Sequence, residues 1–156
     1  MAKIKEADFY YGSVLSALFN NGITPSLIES GDDRQIYDIT TNQTTTRLFV
    51  KYRSIAREGK AGYKSWSFVF SQDLSSMIEI IEKGFNLSIA LICACEKLNE
   101  SELAILYLDD IRKIFIEEKK DSITISRKKG ERYFRISIGG GRDASYKIPS
   151  NRLDFQ

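Results

Sequence analysis

The run LSIALICAC, residues 87–95, has apolar side chains at odd and even positions alike. Successive residues of a strand face opposite sides of a sheet, so a segment apolar on both must be covered on both. Its uninterrupted apolar part, residues 89–95, reaches about a third of the roughly 20 residues a membrane-spanning helix needs. The run therefore predicts an interior strand in a layered α/β or α+β domain. With 156 residues, 42% of them hydrophobic, the chain can bury one sizeable core, which predicts a single domain over residues 1–156. The opening MAKIKEADFYYG alternates charged with apolar residues and has neither a signal peptide's apolar stretch nor its cleavage site. The expectation is a cytoplasmic protein with no membrane association, so the sequons at Asn42, Asn86 and Asn99 would carry no sugar.

The surrounding segments supply the other layers. Ile4, Ala7, Tyr11, Val14, Leu15 and Leu18 follow helical spacing, and Gly22 offers a left-handed stop. Of the consecutive aromatics Phe9, Tyr10 and Tyr11, at least one must point away from the core. PSLIES, residues 25–30, reads as a short extended piece closed by GDD. RQIYDIT and RLFVKYR form a hairpin around the polar TNQTTT. Residues 56–64 read as a mobile loop. SWSFVFS resumes a strand with Trp66, Phe68 and Phe70 on one face and Val69 on the other. Leu74, Met77, Ile78 and Ile81 mark a second helix, with Ser76 and Glu79 as a capping box and Gly84 as its stop. After the LSIALICAC strand, LAILYL leads to Asp109 as N-cap of a third helix. SITISRKKGERYFRISI is a second hairpin, and SYKI adds an edge strand after the flexible Gly139, Gly140 and Gly141. The expected architecture is a mixed central sheet flanked by about three helices, with a C-terminal β-hairpin.

The chain contains no histidine. That removes Ser-His-Asp and Cys-His catalysis and histidine metal sites, and leaves carboxylates, lysine, tyrosine, serine and backbone groups as the available chemistry. Cys93 and Cys95 lie two apart on one strand face, where a mutual disulfide would be strained, and are expected to be buried thiols.

In the strand 47–53, Arg47, Phe49, Lys51 and Arg53 share one face and Leu48, Val50 and Tyr52 the other. Asp38 on the preceding strand and Glu29 on the one before are placed to converge with Lys51. Two carboxylates and an ammonium meeting in this way would hold Mg²⁺ or Mn²⁺ through Asp38 and Glu29. The metal would activate a water and clamp a phosphate, while Lys51 would steady the developing charge. Against this stands a plainer role for Lys51 as a solvated guard on a strand edge, with Arg47 and Arg53 serving likewise.

A helix, a hairpin with an acid on one strand and VK at the end of the next, then helix and strand, resembles the PD-(D/E)xK nuclease core of restriction endonucleases and Holliday-junction resolvases. The resemblance covers residues 4–95 and leaves 96–156 as an addition. It implies that Asp38 is the metal-binding acid and Lys51 the catalytic lysine. The acid that the pattern wants two residues before the lysine is Phe49 here, so Glu29 or Glu6 would have to replace it.

Charge is distributed unevenly. Residues 1–65 carry 9 basic and 7 acidic side chains, 66–118 carry 4 and 10, and 119–156 carry 10 and 4. The basic final third suggests a surface facing a polyanion. Within it, Arg127, Lys128, Lys129, Arg132 and Arg135 alternate with Tyr133 and Phe134, a pattern suited to phosphates and stacked bases, and Arg47 and Arg53 would extend it. The sequence thus leads to a nucleic-acid-associated domain with a nuclease-like core and an incomplete active site. The alternative is a non-enzymatic module that binds a protein partner through the acidic section 73–118.

Overall fold

A computed structural model of the chain describes residues 2–40 and 44–152; residues 41–43, which include Asn42 and the start of the expected turn TNQTTT, lie outside the described residues. The first helix, α1 (Glu6–Asn20), buries Ala7, Tyr11, Val14 and Leu18 at helical spacing. Its first turn is acidic, and the Asp8 carboxylate accepts the Lys5 backbone N–H at 2.9 Å. Negative charge there complements the helix dipole. Gly22, at φ 73°, turns the chain out of the helix in the left-handed region. Ile4, expected on the apolar stripe, precedes the helix and is exposed. Of the three aromatics, Phe9 points outward, Tyr11 is buried, and Tyr10 is half-buried and stacks on Tyr52 with ring centroids 4.7 Å apart.

Strands β1 (Ser26–Glu29), β2 (Gln35–Thr40) and β3 (Thr45–Arg53) follow as an antiparallel meander. Next come β4 (Arg57–Glu58), β5 (Tyr63–Val69), α2 (Leu74–Glu82), β6 (Asn86–Cys93) and β7 (Glu102–Leu106). A short α3 (Leu108–Ile111) widens into a π-type turn over Arg112–Glu117, and β8 (Ser122–Lys128), β9 (Tyr133–Ile136) and β10 (Tyr146–Pro149) complete the chain.

The strands form two sheets. The first has the order β1-β2-β3-β6-β7, with β3 and β6 parallel and every other pair antiparallel. This is the expected mixed sheet, and β6 is an interior strand buried from Leu87 to Cys93. The second sheet, β10-β9-β8-β5-β4, is antiparallel and ends in the expected C-terminal hairpin and edge strand. Both sides of β3 are taken, by β2 and β6. Strand β5, which follows β3 and β4 in the chain, pairs with β8 in the second sheet.

One face of the mixed sheet, carrying Phe49, Leu87, Ile89 and Leu91, packs against Trp66, Phe68, Ile123, Ile125 and Phe134 of the second sheet and against Met77 and Ile80 of α2. Leu48, Val50, Ala90 and Ile92 on the other face pack against α1. Full burial of each large apolar side chain contributes about 1.5–3 kcal/mol, which is why the strand is apolar on both sides apart from the buried Ser88. The fold is α+β in three layers: helix, mixed sheet, then the second sheet with α2 and α3.

Four local expectations change. Residues 56–64 are not simply a loop, since Arg57 and Glu58 pair with Ser65 and Lys64 of β5. Helix α2 buries Met77 and Ile80, leaving Ile78 exposed. Its N-cap position is Asp73, so Ser76 and Glu79 fall inside the helix rather than framing its start. The third helix is capped at Tyr107, whose N–H donates to the Asp110 carboxylate at 2.9 Å, and Asp109 lies within its first turn. Gly84 does stop α2, at φ 83°. Cys93 and Cys95 are buried free thiols, as expected. Among the described residues no helix is long and apolar enough to cross a membrane.

Candidate functional site

Lysine 51 lies near the carboxyl end of β3 on the face that carries Phe49 into the core. Its ammonium is largely withdrawn from solvent and donates at 2.8 Å to the Asp73 carboxylate and at 2.8 Å to the Val69 carbonyl. The Phe70 ring centroid is 5.1 Å away. Asp73 is 2% exposed. It stands at the N-cap position of α2, yet its carboxylate makes no capping bond and turns instead to Lys51 and Arg34. The β2–β3 register pairs Gln35 with Val50 and Ile36 with Phe49, so one step further sets Arg34 opposite Lys51. Two neighbouring cations therefore share one buried carboxylate. The chain of charges continues to Glu29, which accepts from Arg34 Nε at 2.6 Å and from its terminal nitrogen at 3.2 Å.

Burying an ionised group costs several kcal/mol unless charge and hydrogen bonds compensate it. Here each charge touches an opposite one. The alternating row Glu29, Arg34, Asp73, Lys51 ties β1, β3 and the start of α2 together, and the Lys51–Val69 bond joins the two sheets. These contacts hold down the Arg34 guanidinium's proton, raising its pKa chiefly through the Glu29 hydrogen bond.

Of the three residues expected to converge, Glu29 and Lys51 belong to this row and Asp38 does not. Asp38 stands opposite Arg47, which is four residues from Lys51 along β3, roughly 13 Å at the usual strand rise. Its two oxygens accept from Arg47 Nε at 2.8 Å and from a terminal nitrogen at 3.0 Å. That pair raises the Arg47 pKa, mainly through the Asp38 hydrogen bond. Both oxygens of Glu29 and both of Asp38 thus accept from a guanidinium, and the two carboxylates sit against different partners. They do not fit a shared Mg²⁺ or Mn²⁺. Among the described residues no three Asp, Glu, Cys or His side chains come together as a cation site. Phe49, where the nuclease pattern wants its second acid, is 0% exposed and belongs to the core.

An open cleft of about 730 Å³ lies over the row, lined by Glu29, Arg34, Lys51, Arg53 and Asp73 among others. Arg53 is exposed and has no ion pair among the described residues. Asp73 and Arg34 were not anticipated as site residues. An aspartate directly before an apolar periodic run does signal an N-cap, but nothing local shows that its carboxylate serves a lysine 22 positions earlier.

The basic C-terminal hairpin divides in two. Arg127 is engaged by Glu102 at 2.6 Å and Arg135 by Glu131 at 3.1 Å. Lys128, Lys129 and Arg132 are exposed around the turn, and none of them has an ion pair among the described residues. Tyr133 faces outward from β9, with the Arg135 guanidinium 5.4 Å and the Lys147 ammonium 5.0 Å from its ring centroid. Lys147 is the cross-strand neighbour of Arg135 on β10, a proximity that only the sheet register creates. Phe134, expected beside Tyr133 as a stacking ring, points inward and is fully buried. No protein-family model, curated protein or solved structure matches the chain.

Proposed function

We propose that this is a nucleic-acid-associated domain on a nuclease-like core, holding phosphodiester backbones against the outer face of the β8–β10 sheet. The order α1, β1–β3, α2, β6, with β3 parallel to β6, supports the nuclease-like part of the reading, although β4 and β5 intervene. The observation that carries the binding part is Tyr133 between Arg135 and Lys147, next to the exposed Lys128, Lys129 and Arg132. Cations with an aromatic ring between them track phosphates and offer a base a surface to stack on. Glu29 and Asp38 are each held by an arginine and do not fit a common metal, so the reading is of binding alone.

Titration of a labelled single-stranded oligonucleotide at several salt concentrations tests the reading. Each phosphate-contacting cation contributes about 0.7–0.9 to the slope of log affinity against log salt. The triple variant Lys128→Ala/Lys129→Ala/Arg132→Ala is expected to lower that slope by about 2–3, and Tyr133→Ala to weaken binding by about 1–3 kcal/mol. Absence of binding at low salt, or a slope unchanged in the triple variant, overturns it.

A further inference from the structure

The carboxyl ends of the parallel strands β3 and β6 open onto a second hollow of about 750 Å³, which shares Glu6 and Ser54 with the cleft over Lys51. The two hollows adjoin at these residues. Carboxylates outnumber cations along both. Internal pairing does not cancel the excess. Lys51 and Arg34 are occupied by Asp73 and Glu29, and Lys64 by Glu100 at 3.9 Å. That leaves Glu6, Asp33, Glu58 and Glu96 without a cationic partner among the described residues, facing only Arg53 and Lys97. The second hollow is also apolar: Ile55 is 81% and Leu98 60% exposed, and Tyr10 of the stacked Tyr10–Tyr52 pair lines it.

We infer that this groove binds an extended, lysine- or arginine-rich segment of a protein partner, with an apolar side chain of that segment seated between Ile55 and Leu98. The net negative lining attracts cations and repels phosphates, so the groove and the basic outer face of the second sheet select ligands of opposite charge. Exposed isoleucine and leucine side chains inside an acidic groove supply the desolvated anchor such an interface needs, with the surrounding carboxylates as its polar rim. The inference does not depend on nucleic-acid binding at the other face.

The test uses the full chain and two labelled peptides, one alternating lysine with leucine and the other alternating glutamate with leucine, followed by fluorescence anisotropy. The lysine peptide is expected to bind, more weakly as salt rises toward about 0.15 M, and the glutamate peptide not to bind. Glu58→Lys/Glu96→Lys is expected to weaken the lysine peptide by about tenfold or more, equivalent to about 1.4 kcal/mol, and Ile55→Ser/Leu98→Ser to weaken it comparably. All four side chains are on the surface, and far-UV circular dichroism checks that the variants fold. The hairpin variant Lys128→Ala/Lys129→Ala/Arg132→Ala should leave peptide affinity unchanged. Equal binding of both peptides, equal affinity in the groove variants, or no lysine-peptide binding at low salt overturns the proposal. Oligonucleotide binding that is lost in Ile55→Ser/Leu98→Ser while the lysine peptide fails to bind would give the groove to nucleic acid and likewise overturn it.

Discussion

The Lys51 ammonium donates to the Asp73 carboxylate at 2.8 Å, joining the end of β3 to the start of α2 with both side chains largely shielded from solvent. This contact removes the reading of Lys51 as a solvated guard. A lysine guarding a sheet edge ends in water, whereas this one is on a strand flanked on both sides and ends on a buried acid.

Removing one member of the pair should therefore be costly. Lys51→Met keeps the aliphatic stem but leaves Asp73 with Arg34 alone, and Asp73→Asn leaves two neighbouring cations sharing a neutral amide. Each single variant is expected to lose about 2–4 kcal/mol, somewhat below the cost of breaking a fully buried pair. The double variant should lose clearly less than the two combined, because neither charge is then stranded. Urea titrations followed by emission of Trp66, the one tryptophan, whose Nε1 donates to the Ala94 carbonyl at 2.8 Å in the core, report the stabilities. Strictly additive losses would show that the pair is not coupled.

Placing at position 49 the acid that the nuclease pattern wants should unfold the chain rather than activate it. In Phe49→Glu a carboxylate replaces a ring that is 0% exposed and packs within the inter-sheet core, below Arg34 at 5.5 Å. Loss of the buried ring alone costs about 3–5 kcal/mol, and an ionised group in its place adds a desolvation penalty. The expected outcome is a protein largely unfolded at room temperature by circular dichroism. A folded Phe49→Glu variant with its stability intact would mean that Arg34 can swing inward to neutralise the new charge.

Patterns set by one element's own geometry were legible in the sequence. Residues 87–93 announced an interior strand, and the alternation in residues 47–53 correctly put Lys51 and Phe49 on one face. Gly22 and Gly84 marked helix ends because their positive φ suits glycine. Relationships between elements were not legible. The convergence of Glu29, Asp38 and Lys51 assumed a register, and the actual one sets Asp38 opposite Arg47 and brings Arg34 to Lys51 instead. A shift of two residues keeps the apolar faces aligned and changes every charged partner, so hydrophobic patterning alone could not choose between them. Phe134 departs from the expected stacking role for a related reason: adjacent aromatics on a strand point to opposite sides, and only Tyr133 faces out.

Alkaline pH should weaken the fold. The Tyr146 phenol is pushed up to about 12, first by burial and then by its hydrogen bond to the Asp110 carboxylate at 2.5 Å. Burial raises Tyr11 as well, where the phenol donates to the Asp32 carbonyl at 2.8 Å. In the unfolded chain a tyrosine loses its proton near pH 10. The stabilisation is thus complete below about pH 10 and declines as pH rises through about 12, where the unfolded state binds fewer protons than the native one. Tyr146→Phe should be less stable at neutral pH by about 1–3 kcal/mol, the worth of a hydrogen bond to a charged group, and should show a shallower alkaline decline. Parallel stability curves for the two proteins between pH 9 and 12 would contradict this.

The two cysteines should react in a fixed order. Burial raises the Cys93 thiol well above its usual range, and Cys93 is 0% exposed on the interior strand β6. Cys95 lies beyond the end of that strand, lines the second hollow and is 6% exposed. Burial also raises its thiol, while Lys64, with its Nζ 4.0 Å from the sulfur, pulls in the opposite direction. Thiolate is the reactive form, so both should resist alkylation near neutral pH. Fraying of the strand end exposes Cys95, whereas Cys93 requires the mixed sheet to open, and local opening costs less than global unfolding. Alkylation followed by mass spectrometry should show Cys95 modified first, and Cys93 modified at a rate that rises with urea in step with loss of the Trp66 signal. Modification of Cys93 ahead of Cys95 in the native protein would mean that β6 opens at its centre before its end, contrary to its place between β3 and β7.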